Sequence, residues 1–188
     1  SNGNIAEIVK DAIEGKAKNS YGKKESLDLN GKRILGGWPF TAYLKIGDGC
    51  DNCCTYCAIP QIRGRMRSRT IEDCVAEAKE LAAGGVRELI VVAQDTTAYG
   101  TDIYGESKLC ELLSQLCKID GIEWIRTLYT YPERITDELL QLIAKEEKLV
   151  KYLDIPIQHA CGEILKRMNR RGDKESLLSL VKKIRAKI

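Results

Sequence analysis

No stretch of the sequence approaches the roughly 20 consecutive apolar residues that a bilayer-spanning helix needs, which excludes an α-helical membrane span. No signal-peptide pattern opens it, so the expected compartment is the cytoplasm. Charge of one sign is also lacking: the formal net charge is +3, too small to call for a nucleic-acid partner by itself. Histidine occurs once, as His159, so a zinc site closing on four ligands has one imidazole to draw on. Phenylalanine occurs once against eight tyrosines, a bias that excludes nothing. Cysteine is the contrast. Eight cysteines without an export signal read as metal ligands and buried thiols rather than disulfides.

Residues 4–14 carry Ile5, Ile8, Val9 and Ile13 at helical spacing, and Gly15 ends that helix. Residues 15–37 are rich in Lys, Gly, Asn and Ser without periodicity, which reads as a linker. The first 37 residues thus read as the end of a preceding unit plus a tether, and 38–188 as the main domain. From Phe40 strands and helices alternate. Strands are expected at 40–47, 86–94, 122–131 and 151–157. Helices are expected from Thr70 to Gly84, over 107–118, after Thr136, over 160–168 and over 173–187. The fold class is α/β, with parallel strands and right-handed crossovers in about four βα units. Four units do not close a barrel, so strand 151–157 is expected to be an open edge. Cys110 and Cys117, seven apart on one helix, are expected to pack as small apolar groups, as is Cys74.

Cys50, Cys54 and Cys57 form a C-x3-C-x2-C array directly after the first strand, inside GDGCDNCCTYCAIP. Three thiolates from one loop are one short of closing a four-coordinate ion. A [4Fe-4S] cluster with one open iron needs three protein ligands, and thiolate is the side chain that holds such clusters. The alternative is a structural zinc site whose fourth ligand comes from Cys53, Cys161 or His159.

This spacing resembles the signature of the radical S-adenosylmethionine (SAM) superfamily, with Tyr56 as the aromatic residue before the third cysteine. The resemblance implies a partial radical SAM (βα) barrel, one [4Fe-4S] cluster on Cys50, Cys54 and Cys57, and SAM as its ligand. Cys53 then sits as a bystander. Further blocks resemble the methylthiotransferase branch. IRGRMRSR (62–69) is similar to that branch as a whole, while AQDTTAYGTDIYG (93–105), WIRTLYTYPERITDEL (124–139) and KYLDIPIQHACGEILKRMNRRG (151–172) are similar to its RimO type. That type modifies the β-carbon of an aspartate in ribosomal protein S-twelve. The tRNA-modifying MiaB type is the alternative, and it differs at Gln94-Asp95 and at Gln158-His159-Ala160. The resemblance implies a second cluster in a preceding domain and an electron donor such as flavodoxin.

In parallel βα barrels the chemistry gathers at the carboxyl ends of strands. Those ends carry Gln94 and Asp95, Thr130 and Tyr131, and Gln158 and His159. Tyr152, Asp154, Pro156 and Gln158 share one face if 151–157 is a strand. Tyr56, Gln94, Asp95, Arg126, Asp154 and Gln158 are therefore the expected SAM contacts, Arg126 through the SAM carboxylate and Asp154 through ribose. His159 is expected to be a rim residue bonded to backbone. Arg63, Arg65, Arg67 and Arg69 alternate, so in an extended segment all four project the same way toward a substrate or partner. Lys166, Arg167, Arg170 and Arg171 form a second basic cluster; both clusters suit a ribosome-associated partner without telling protein from RNA.

Overall fold

The computed structural model describes residues 5–16, 29, 36–37 and 39–188, so most of the expected linker lies outside the described residues. Helix α1 (Ile5–Ile13) ends at Gly15, which takes a left-handed φ of 72°. The alternating pattern then begins with β1 (Thr41–Lys45), β2 (Gly47–Asp48), α2 (Ile59–Arg63), β3 (Arg67–Ser68), α3 (Ile71–Ala83) and β4 (Glu88–Val92). It continues with α4 (Thr101–Tyr104), α5 (Leu109–Cys117), β5 (Trp124–Thr127), α6 (Asp137–Lys145), α7 (Gly162–Arg167) and α8 (Lys174–Lys187).

Strands β1, β4 and β5 form a parallel sheet in that order, with Leu44 opposite Val91 and Leu89 opposite Ile125. Alternation sorts the two faces. Ala42, Leu44, Leu89, Val91 and Ile125 point into the core, where Cys74, Ala78, Leu112, Leu113 and Leu116 of α3 and α5 cover them. Tyr43, Ile90 and Arg126 lie in register on the other face and remain exposed or half-buried. The helix starts follow the expected chemistry: Thr70 accepts from Asp73 N at 3.2 Å and Thr136 from Leu139 N at 3.1 Å. Cys74 and Cys117 are buried and Cys110 is half-buried against the core, as their spacing indicated.

The α/β class with parallel strands is borne out, but the fourth strand is not formed. The chain meets β5 just ahead of this segment, in the parallel bridge of Ile125 and Leu149, and residues 151–157 then accept Thr130 N at Asp154 O at 2.9 Å. The amides of Tyr152, Ile157 and His159 turn back two residues, to the carbonyls of Val150, Ile155 and Ile157. Such i→i−2 bonds make tight γ-type turns and withdraw those amides from a ladder. The expected common face of Tyr152, Asp154, Pro156 and Gln158 is lost with the pleat.

Candidate functional site

Residues 49–66 form one closed excursion. The two-residue antiparallel ladder of β2 and β3 clamps its base, with Gly47 opposite Ser68 and Asp48 opposite Arg67. Gly49 permits the turn: its φ is +75°, and a Cβ there would lie 2.0 Å from the Arg65 carbonyl oxygen. Asp48 is buried beneath the loop. Its Oδ1 accepts from Gly49 N at 3.0 Å, and its Oδ2 lies 3.1 Å from Lys45 Nζ and 3.7 Å from Arg67. Asp51 accepts from Met66 N at 3.0 Å and takes Arg65 with both carboxylate oxygens. The Arg65 contact holds the Asp51 carboxyl below its ordinary range.

The far side of the loop docks on the end of α7. Thr55 donates through N to Met168 O and through Oγ1 to Arg167 O, and Asn169 Nδ2 donates to Cys53 O at 2.8 Å. Asn52 is the third anchor. Its Nδ2 donates to Asp95 Oδ2 at 2.7 Å, while Arg134 donates to Asn52 Oδ1 at 3.0 Å.

These anchors set Cys50, Cys54 and Cys57 around one cavity of about 460 Å³. Cys50 is buried, and burial pushes its thiol up, with Asn52 N donating to its sulfur at 3.4 Å as a smaller opposing effect. Cys54 Sγ lies 3.9 Å from the Tyr131 hydroxyl. Tyr56, Gln94 and Gln158 also line the cavity. Gln94 Oε1 is buried with no hydrogen-bond partner, an exception that calls for a ligand or solvent donor. Gln158 holds a φ of 64° and Tyr129, on the same wall, a φ of 59°. Left-handed backbone at non-glycine residues is strained and gathers at functional sites.

Three of the six expected SAM contacts therefore meet the thiols, and three do not. Asp95 is buried beside the cavity, where it caps the turn at Thr96–Ala98 and pairs with Arg134. Arg126 projects from the sheet face and is held by Glu88 at 2.9 Å. Asp154 accepts from Tyr129 N at 3.0 Å through its carboxylate, because the irregular path of 151–157 turns it aside. His159 is bonded to backbone as expected, its Nδ1 accepting from Cys161 N at 2.8 Å.

The arginine row is also corrected. The segment is not extended: Arg63 ends α2, Gly64 breaks it with a φ of 82°, and only Arg67–Ser68 is strand. Arg63 and Arg67 turn to Asp48, Arg65 to Asp51, and buried Arg69 to Glu77 and the carbonyls of Lys45 and Asp73. Sequence reasoning missed Arg134 and the role of Arg170. Arg170 is buried, donates to Pro156 O at 2.8 Å, and stacks 4.1 Å over the Tyr131 ring. Nothing in the local sequence separated it from its exposed neighbours Arg167 and Arg171.

The donor set fits a cluster better than a single ion. Among the described residues no three Cys, His, Asp or Glu side chains converge on one ion position. Cys161 and His159 lie away from the cavity lining, and Cys53 opens onto a neighbouring one. The three thiols thus share a cavity without a fourth protein ligand, which suits a cubane with one open corner.

A sequence profile described as the Radical SAM superfamily matches residues 44–188. The chain belongs to the radical SAM superfamily. Among the radical SAM relatives, the chain is 55% identical over 167 residues to the ribosomal protein uS12 methylthiotransferase RimO of Alkaliphilus oremlandii, covering 89% of this chain and 38% of that protein. It is 50% identical over 185 residues to the protein of the same name from Clostridium tetani, covering 98% of this chain and 42% of that one. The chain therefore spans about two fifths of the length of the curated relatives it matches. The resemblance to the RimO type is borne out. The structure of the radical SAM methyltransferase TsrM from Kitasatospora setae, with cobalamin and a [4Fe-4S] cluster bound, shares the fold with a TM-score of 0.61 at 17% identity. That likeness covers 78% of this chain and 29% of TsrM. No described helix is long and apolar enough to cross a membrane.

Proposed function

We propose that this chain is the SAM- and cluster-binding part of a methylthiotransferase that replaces a C–H by C–SCH3 on the β-carbon of an aspartyl residue of ribosomal protein uS12. The single observation that carries this reading is the cavity shared by Cys50, Cys54 and Cys57, whose lining holds no other Cys, His, Asp or Glu. Its identity as a methylthiotransferase rests on the RimO relatives, whose names give the substrate.

Cys50, Cys54 and Cys57 would hold a [4Fe-4S] cluster, whose chemistry is one-electron reduction of the SAM sulfonium to release a 5′-deoxyadenosyl radical. The chain's own residues bind, orient and shield. Gln94 Oε1 supplies an unused acceptor for an ammonium group. Tyr56, Tyr129 and Tyr131 supply aromatic walls, and Gln158 a polar one. Asp95 and Arg134 hold the cysteine loop through Asn52 rather than touching SAM. One SAM would supply the methyl group, a second the 5′-deoxyadenosyl radical that takes the hydrogen, and the second cluster of the preceding unit the sulfur.

Residues 38–188 then form the radical SAM core, and 1–37 the end of a preceding unit, with a second cluster in that unit. All eight cysteines are unpaired, which suits a reducing cytoplasm, and a flavodoxin-like donor suits the one-electron step.

Anaerobic reconstitution followed by dithionite-driven SAM cleavage tests the reading. About four irons per chain and 5′-deoxyadenosine from the wild type, with neither from Cys54→Ala, is the expected result. Stoichiometric zinc with no iron uptake would overturn it.

A further inference from the structure

A second cavity, of about 620 Å³, adjoins the cysteine cavity and shares Asn52, Tyr131 and Arg170 with it as a common wall. Its remaining lining is strongly basic. Arg134, Lys166 and Arg171 join Arg170 there, against the acids Asp51 and Glu133. Several of these charges already have partners. Arg134 pairs with Asp95, Arg170 donates to Pro156 O, and Asp51 faces Arg65. Lys166 and Arg171 are exposed and make no ion pair among the described residues, whereas Glu133 is the one acid of the lining not engaged in an ion pair. The unengaged charge of the cavity is therefore positive.

A solvated surface explains isolated lysines and arginines, but it does not explain this shape. The two cations sit in a concavity walled by a buried guanidinium that also faces the three thiols. Asn169, a further part of this lining, holds a left-handed φ of 55° while its side chain ties down Cys53 O. The end of α7 is thus pinned to the cysteine loop, and the basic cavity has a fixed position relative to the thiols.

We propose that this basic cavity seats the carboxylate of the acidic substrate residue, with Lys166 and Arg171 as its cationic contacts. The inference rests on the aspartyl reading above for the nature of the anion. In an aspartyl residue the carboxylate carbon is bonded directly to the β-carbon. The two cavities meet at Asn52, Tyr131 and Arg170, so a carboxylate held at that shared edge by Lys166 and Arg171 leaves the β-carbon facing the cysteine side. Anchoring one bond away from the reacting C–H is an economical way to fix its orientation. The same contacts discriminate against the neutral amide, because an asparaginyl side chain cannot replace a charge-assisted bond.

The test is a binding measurement on the protein, by isothermal titration calorimetry or fluorescence anisotropy. The probes are a uS12 peptide carrying the target aspartate, its Asp-to-Asn counterpart, and a short single-stranded RNA. The aspartyl peptide should bind the wild type about tenfold tighter than the asparaginyl one. Lys166→Ala with Arg171→Ala should abolish that difference, and Lys166→Arg with Arg171→Lys should preserve it. Equal binding of the two peptides to the wild type would overturn the proposal. So would RNA binding that alone responds to the double alanine variant, since the cavity would then serve phosphate. If SAM cleavage fails while the aspartyl preference persists, the cluster reading falls and this one stands.

Discussion

Asp95 and Arg134 form an ion pair at 2.5 Å, and both also hydrogen-bond to Asn52 inside the cysteine loop. The pair joins the end of β4 to the segment after β5 and delivers both to the loop between Cys50 and Cys54. Removing Arg134 leaves the buried Asp95 carboxylate with Asn52, Thr97 and the Ala98 amide as remaining donors. Arg134→Ala should therefore destabilise by about 1–3 kcal/mol, discounted because the arginine is partly exposed. Urea unfolding checks the stability, and iron retained per chain after reconstitution checks the loop. Asp95→Asn should lower iron retention in the same way. Normal iron content in both variants would remove the clamp from the site's construction.

Gly49→Ala places a Cβ against the Arg65 carbonyl and forces a left-handed φ on alanine. The backbone contact cannot relax by a side-chain rotation. The expected cost is about 3 kcal/mol or more, or displacement of the loop with loss of iron uptake. Paired unfolding and iron measurements decide it, with Gly85→Ala, which has open space around its Cβ, as the comparison.

Gln94 gives opposite signs for stability and binding. Its buried Oε1 lacks a partner, so Gln94→Met removes an unmet acceptor at similar volume and should be neutral or stabilising by about 1 kcal/mol. SAM affinity of the reconstituted protein should fall about tenfold, if the amide accepts from the ligand's ammonium. A variant that loses stability and keeps its affinity would contradict this.

The four arginines should separate on mutation. Arg69 is buried with Glu77 and two carbonyls, so Arg69→Ala should cost about 2–4 kcal/mol. Arg65 is an exposed partner of Asp51, and Arg65→Ala should cost under about 1 kcal/mol in unfolding experiments.

Burial raises the thiols of Cys74, Cys110 and Cys117 to about 11 from the ordinary value of 9.0. Between these values the unfolded chain releases protons that the folded chain keeps. The stability contribution of these protonated thiols is thus fully present below pH 9 and declines as pH rises through about 11. Urea midpoints should fall across that window. At neutral pH a thiol reagent should reach the exposed Cys53 and Cys161 well before Cys74 or Cys117.

Helix boundaries and three of the parallel strands were legible because each rests on local chemistry. Thr70 and Thr136 cap where their side chains allow, and the alternation in Glu88–Val92 matches one covered face. Segment 151–157 was misread as a strand because a run of apolar residues with period two does not reveal where its amides bond. The cysteine spacing was legible, and so was the place of Gln94 and Gln158 at the cavity. Asp154 lies off the cavity lining because 151–157 does not keep its pleat, and Asp95 and Arg126 lie off it because a charged side chain near a site can be taken by a partner distant in sequence. Glu88 for Arg126 and Arg134 for Asp95 lie 38 and 39 positions away. The arginine row failed because Gly64 broke the extended path on which its common direction depended.

The partition between the two cavities consists largely of one guanidinium laid flat on one phenol ring, Arg170 on Tyr131. A divider two side chains thick has a front and a back that move together. An occupant of one chamber that shifts Arg170 or Tyr131 must reshape the other, and whatever factor it changes in the grip on its neighbour is returned in equal measure.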